Sequence, residues 1–185
     1  MDLEKLKLPL SISEIEFRVQ SINKGGYATI LAYKDARADM NRLDEAFTPL
    51  GWKREHTNNN ANCIVSAWNE STKQWVSKED TGTESLAEKQ KGLASDSFKR
   101  ACFNWGIGRE LYDYPVMSIK LYQSDKKDAY GEWYLHDGKP RQGYGLKLKQ
   151  WVWFSQFKDG KLTYLACKDD KGAKRFSYGT YEQTK

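Results

Sequence analysis

The chain contains few residues of the types used in redox or metal chemistry. Of its 185 residues, three are cysteine and two are histidine. Cys63, Cys102 and Cys167 are far apart, and no Cys-x-x-Cys or Cys/His spacing typical of zinc occurs. We therefore expect buried free thiols, with no disulfide framework, metal or cofactor. A catalytic pairing of a cysteine with His56 or His136 is an open alternative.

Long apolar runs are also absent. No run approaches the 18 residues of a membrane span, and the first five residues lack the apolar stretch of a signal peptide. We expect an intracellular, cytoplasmic protein with no membrane partner. A Walker A motif and a Gly-x-Ser-x-Gly elbow are missing too, so nucleotide hydrolysis has no positive support.

Aromatic and basic residues are abundant. Aromatics make up 14% of the chain, with seven Trp, eleven Tyr and seven Phe, and the net charge is +5. The charge is uneven: residues 1–115 carry 16 basic and 17 acidic side chains, whereas residues 116–185 carry 14 and 8. This balance is compatible with a polyanionic partner, and equally with a lysine-rich surface that keeps the domain in solution.

Residue periodicity predicts helices and strands in the first 115 residues. Ser11 or Ser13 is expected to cap a short helix over Ile15, Val19 and Ile22. A β-prone run over 27–33 follows, and Asp35 then caps a second helix. Residues 63–68 and 75–81 predict a β-hairpin, and an apolar stripe predicts a long helix from about 85 to 107.

After Val116 the pattern predicts strands only, over 117–122, 132–135, 146–154, 162–167 and 175–178. The predicted fold class is α+β, with a mainly antiparallel sheet packed against one long helix in a β-β-β-α core and additional C-terminal strands. Residues 1–115 form the predicted core. Residues 116–185 are interpreted as a β-rich extension of the same domain.

The long helix carries the most informative group of cations. At 100° per residue, Lys99 and Arg100 lie on the two flanks of the polar face, with Lys89 near Arg100. An ammonium and a guanidinium so placed suit contacts with successive phosphates. The alternative is an ordinary solvated face in which Asp96 pairs with one of them. Phe103, almost opposite the buried stripe, predicts a contact with a base or with a neighbouring subunit.

Two other functions stay open on the residues alone. Glu79 and Asp80, near Lys78 on a predicted strand, faintly resemble the arrangement of a metal-dependent nuclease, although a solvated strand end is the simpler explanation. A passive single-strand binder, whose aromatics coat DNA without promoting pairing, is the second alternative.

Several motifs, in order, resemble a known family. The run Glu79-Asp80-Thr81-Gly82, the helical segment 88–101 with its Asp-Ser-Phe-Lys-Arg-Ala, and Trp105-Gly106 are similar to the signature of the Rad fifty-two family of single-strand annealing proteins. Upstream, Tyr33, Phe47 and Gly51-Trp52 match the strand, helix and strand that open that region. The resemblance covers about 12–115, and the compact length is typical of a phage or prophage member.

The resemblance implies a function without catalysis. Such proteins assemble as rings of about ten or eleven subunits, hold single-stranded DNA in an outer basic groove, and anneal complementary strands without ATP in recombination and double-strand break repair. It implies that this chain is not an enzyme, has no catalytic residue, and binds single-stranded DNA and the complementary strand. A recombinase, exonuclease or single-strand binding protein is an expected further partner.

The resemblance also implies site residues. Lys99 and Arg100 match the paired groove cations, Arg18 in the predicted first helix matches a groove arginine, and Tyr33 matches a groove tyrosine. A further groove cation is replaced here by Phe103. Other predicted DNA-binding residues lie on the long helix or at nearby strand ends: Lys89, Lys91, Lys53, Arg54 and Lys78.

Overall fold

The computed structural model describes residues 2–83 and 89–182. The chain divides into two compact units. The first unit comprises Met1–Leu10 and Lys34–Arg109, and the second comprises Ser11–Tyr33 and Glu110–Lys185. No helix in the described ranges is both long enough and apolar enough to cross a membrane.

The described residues form two α-helices, four short 3-10 helices and eleven strands. The 3-10 helices are Leu3–Lys7, Ile12–Glu14, Arg109–Asp113 and Leu148–Gln150. The other elements, in chain order, are β1 (Ile15–Ile22), β2 (Tyr27–Lys34), α1 (Ala36–Phe47), β3 (Trp52–Thr57), β4 (Asn62–Asn69), β5 (Gln74–Thr81), α2 (Lys89–Trp105), β6 (Met117–Lys120), β7 (Trp133–His136), β8 (Lys139–Gln142), β9 (Val152–Lys158), β10 (Lys161–Lys168) and β11 (Lys174–Gly179).

The α+β class is confirmed, but the sheet is divided. Where one mainly antiparallel sheet was predicted, the described residues form four: β3-β4-β5 in the first unit, and β1-β2-β6, β9-β10-β11 and β7-β8, which apart from Lys34 at the end of β2 belong to the second. The predicted β-β-β-α order is present in the first unit, where α2 follows and packs on β4 and β5. The long helix therefore packs on the β3-β4-β5 sheet of its own unit.

The predicted first helix is wrong, because residues 15–22 form strand β1. Ser11 and Glu14 do make the contact of a helix start, since the Ser11 amide donates to Glu14 Oε2 at 2.8 Å, but only the 3-10 turn Ile12–Glu14 follows. Along β1, Phe17 is half-buried while Glu16 and Arg18 are exposed. Alternation with a period of two places polar residues on one face and apolar residues on the other, as a strand requires.

Two further segments differ from prediction. Residues 146–154 do not form one strand: Leu146 and Leu148 are buried as their alternation predicted, but the chain makes the 3-10 turn Leu148–Gln150 before β9 starts at Val152. Strand β8 was not predicted, because its sequence is polar and contains Pro140, which disfavours a strand assignment. Residues 85–88 of the predicted long helix lie outside the described residues.

The core of the first unit lies between β4 and α2. Cys63, Val65 and Ala67 of β4 are buried, and α2 contributes the fully buried Phe98, Ala101 and Cys102. Gly82, at the end of β5, permits this close approach. A Cβ atom at Gly82 would lie 2.7 Å from the Ser97 amide nitrogen, which is too close for any side chain.

The core of the second unit is rich in tryptophan. Phe17 of β1 stacks on Trp153 of β9 with ring centroids 3.6 Å apart. The Arg175 guanidinium, buried in the same unit, makes two 2.8 Å hydrogen bonds to the Glu132 carboxylate and one of 3.1 Å to Asp169 Oδ2. These hydrogen bonds to two carboxylates offset the free-energy cost of burying the positive charge of Arg175.

A buried ion pair connects Lys34, α1 and the chain after α2, all within the first unit. Lys34, at the end of β2, pairs with Asp39 on α1, and its Nζ donates at 2.8 Å to the carbonyl of Ile107 beyond α2. Gly108 leaves room for the lysine: it has a φ of +75°, and a Cβ there would lie 2.9 Å from Lys34 Cδ. The chain after α2 is thereby fixed against α1.

We predict that Asp39→Ala destabilises the first unit by about 3–5 kcal/mol, because Lys34 is left charged and buried without its carboxylate. Denaturant unfolding followed by circular dichroism measures the change in the free energy of unfolding. The double variant Lys34→Met with Asp39→Leu removes both charges and is expected to cost less than the single variant. An equal or larger destabilisation in the double variant would contradict the role of the pair.

Candidate nucleic-acid interface

Arg100 on α2 already has an acidic partner. Its Nε lies 2.9 Å from Asp96 Oδ2, one turn earlier, and the Asp96 carboxylate also accepts the Thr83 amide at 2.8 Å. Burial alone would raise the pKa of Asp96, but the hydrogen bonds from Arg100 and Thr83 hold it below its ordinary value. The pairing considered as an alternative is therefore present, while the Arg100 side chain keeps 42% exposure.

Lys99 faces a different carboxylate. It is half-buried and interacts electrostatically with the buried Asp39 of α1. Burial raises the pKa of Asp39 to about 6, while the charges of Lys34 and Lys99 act to lower it. Arg100 is thus hydrogen-bonded to Asp96, whereas Lys99 interacts electrostatically with Asp39.

The C-terminal end of α2 is surrounded by cations. Lys78 donates from Nζ to the Asn104 carbonyl at 2.7 Å, and Arg109 donates to the carbonyls of Phe103 and Asn104, both at 2.9 Å. Cations are favourable there because the last carbonyls of a helix carry partial negative charge. The Arg109 guanidinium also lies 5.5 Å from the Phe103 ring centroid, so this chain itself covers part of that ring.

Lys53 and Arg54 lie on opposite faces of the β3-β4-β5 sheet, as neighbours on a strand must. The Arg54 guanidinium is 4.7 Å from the ring centroid of the buried Phe98, on the helix side. Lys53 Nζ is 4.6 Å from the ring centroid of Trp75, which is 42% exposed and contacts Trp68 edge to face. Trp75 was not among the residues predicted from the sequence, although its place on a predicted strand next to a turn was a usable signal.

Lys89 and Lys91 occupy the first turn of α2, but their side chains lie outside the described part of the structure. The assignment of Lys89 and Lys91 as DNA-binding residues therefore stays a prediction.

Arg18 and Tyr33 are brought together in the second unit. The Arg18 guanidinium lies 4.0 Å from the Tyr33 ring centroid, and Tyr33 Oη donates at 2.7 Å to Glu16 Oε2. The Arg18 side chain remains 70% exposed. Arg18 lies on strand β1, not on the predicted helix, and the strand is what places it against β2.

A second cation-on-aromatic contact lies on the same sheet. Lys120 of β6 is opposite Tyr27 of β2 in the strand register, with its Nζ 4.9 Å from the Tyr27 ring centroid. Tyr27 and Leu31 of β2 are both exposed. Neither Lys120 nor Tyr27 was predicted from the sequence, since only the pairing of β2 with β6 brings them together.

The acidic pair Glu79 and Asp80 is divided between the two faces of β5. Glu79 Oε1 accepts from the side-chain Nδ2 of Asn62 at 2.7 Å, and Asp80 Oδ2 accepts from the side-chain Nδ2 of Asn104 at 3.1 Å. In the described ranges, no three His, Cys, Asp or Glu side chains form a cluster that could hold a metal ion. This geometry gives the nuclease alternative no additional support.

Comparison with known proteins links the chain to DNA-binding proteins. It is 32% identical over 115 residues to the single-stranded DNA-binding protein DdrA of Deinococcus radiodurans, covering 60% of this chain and 55% of that protein. It is 33% identical over 115 residues to DdrA of Deinococcus deserti, covering 60% and 57%. The match therefore spans little more than half the length of these relatives. No protein-family model matches the chain.

We predict that the three cysteines react slowly with a thiol reagent such as Ellman's reagent in the folded protein. Cys63, Cys102 and Cys167 are free and buried, as expected from the sequence. Burial raises the pKa of Cys63 to about 11 and of Cys167 to about 12, and that of Cys102 well above its ordinary value, so little thiolate forms near neutral pH. The unfolded chain is the control, and all three thiols should react there. Rapid labelling of the native protein would refute the prediction.

Proposed function

We propose that this chain is a single-stranded DNA-binding protein that anneals complementary strands without ATP. The observation that carries the proposal is that exposed cations stack on exposed or half-buried aromatic rings in both units, Lys53 on Trp75 in the first and Arg18 on Tyr33 in the second. Ammonium and guanidinium groups suit phosphates, and aromatic rings suit bases of any sequence.

The comparisons support the choice of ligand. Two relatives of similar sequence are named single-stranded DNA-binding proteins. Membership of the Rad fifty-two family, action in recombination and repair, and assembly as a ring of about ten or eleven subunits remain parts of the proposal, supported by the ordered motifs between residues 12 and 115.

Binding in this proposal is an exchange of partners. Arg100 is paired with Asp96 in the free protein, so a phosphate oxygen competes with an existing carboxylate and each contact is individually weak. Repetition of weak contacts around an oligomer gives a high total affinity. Contacts made mainly to the sugar-phosphate backbone leave base edges accessible to a complementary strand, which is what annealing requires.

We predict that Lys99→Ala combined with Arg100→Ala weakens single-stranded DNA binding and abolishes annealing while the fold is retained. Fluorescence anisotropy with a labelled oligothymidine measures affinity, and circular dichroism checks the fold. The matched control is Lys7→Ala with Lys73→Ala, which removes two exposed lysines of the same unit that are also paired with glutamates. Full annealing by the Lys99 and Arg100 variant would overturn this site assignment.

We predict that affinity for single-stranded DNA decreases steeply as salt is added. Each neutralised phosphate contributes about 0.7 to the slope of log affinity against log salt concentration, because bound counterions are released. Anisotropy titrations at several sodium chloride concentrations give this slope. A flat response would contradict binding through phosphates.

Annealing itself is tested with two complementary oligonucleotides and no nucleotide or metal. We predict that the protein accelerates duplex formation, measured by fluorescence quenching between labels on the two strands. Slower duplex formation would instead indicate a passive single-strand binder. Degradation of labelled strands on addition of magnesium would indicate a nuclease.

A further inference from the structure

A groove lies beside strand β1 in the second unit. It has a volume of about 700 Å³, and its lining includes Arg18, Tyr33 and Lys149 as well as the stacked rings of Phe17 and Trp153. This size is within the range of pockets that bind small organic groups. It is large enough to accept part of an extended polymer.

A second hollow continues along the same strand. Its volume is about 470 Å³, and it shares Phe17, Arg18, Leu148 and Lys149 with the first groove. It adds Lys147 to the lining. The two hollows together form a trough, which we call the β1 trough, and three of its lining residues are the cations Arg18, Lys147 and Lys149.

The segment that carries the two lysines is firmly placed. Leu146, Leu148 and Trp151 are buried in the core of the second unit, whereas Lys147 and Lys149 between them are exposed. The Gln150 amide donates to the Lys147 carbonyl at 2.7 Å and closes the 3-10 turn. The buried leucines thus hold the lysines at the trough in a fixed backbone conformation.

The chemistry of the β1 trough suits an anionic chain with flat apolar groups. The carboxylate of Glu16 also lines it, but this group already accepts the Tyr33 hydroxyl and pairs with Arg18. Three cations against one engaged carboxylate leave a positive balance in the trough. Phosphates along a single strand can contact these cations while a base lies against Tyr33.

We propose that the β1 trough binds single-stranded nucleic acid, and that Lys147 and Lys149 contact its phosphates together with Arg18. This inference rests on the proposed function and assigns a DNA-binding role to part of residues 116–185. The second unit therefore has phosphate contacts independent of Lys99 and Arg100 on α2.

The test compares Lys147→Ala with Lys149→Ala against a matched control, Lys161→Ala with Lys171→Ala. The control removes two exposed lysines of the same unit that do not line the trough, and so the same net charge. Anisotropy with a labelled oligothymidine is measured over a range of salt concentrations. The trough variant is expected to reduce the salt slope by about 1.4, or about 0.7 for each phosphate that is no longer neutralised. The control should leave the slope unchanged.

The variant Lys147→Arg with Lys149→Arg distinguishes an effect of charge from an effect on structure, because it keeps both positive charges. It should give the same salt slope as the unsubstituted protein. If the trough variant and the control give the same slope while the unsubstituted protein binds, the trough assignment is overturned and the proposed function stands. If the unsubstituted protein does not bind the oligonucleotide, both proposals are overturned. A reduced slope that the arginine variant fails to restore would show a structural role for the lysines and would also overturn the trough assignment.

Discussion

The buried pair of Lys34 and Asp39 is the constraint on which the first unit depends. It joins the end of β2 to α1 and, through the Ile107 carbonyl, to the chain beyond α2. A charge taken out of water is stable only with its partner, so Lys34, Asp39 and the chain just after α2 are held together within the first unit. Lys99, a cation of the candidate interface, interacts electrostatically with the same Asp39.

The candidate DNA-binding cations already have interaction partners within the free protein. Arg100 pairs with Asp96, Lys78 caps the C-terminal end of α2, and Arg18 lies over Tyr33. Intramolecular partners hold these long side chains near one geometry, which lowers the entropic cost of binding a ligand. They also make each contact weak, as suits a protein proposed to release its strands after pairing.

Sequence patterns predicted some elements well and others poorly, for physical reasons. Asp35 was predicted to cap α1, and its carboxylate does accept the amides of Arg37 and Ala38. β1 was mistaken for a helix because Ser11 and Glu14 do form a helix-start contact, and Ile15, Val19 and Ile22 satisfy helical spacing by coincidence. A local signal identifies a turn, but only pairing with a neighbouring strand shows that the next eight residues are extended.

The α+β class, the cap of α1 and the buried thiols could all be inferred from the amino-acid sequence, because each follows from composition or from near neighbours in the chain. Other contacts are visible only in the folded chain: Lys120 lies near Tyr27, Lys53 lies on Trp75 while Arg54 lies on Phe98, and Lys147 and Lys149 line the trough together with Arg18. These contacts are between residues that are distant in sequence and lie on different strands and turns. Local periodicity does not indicate which strands pair or which of their faces are buried.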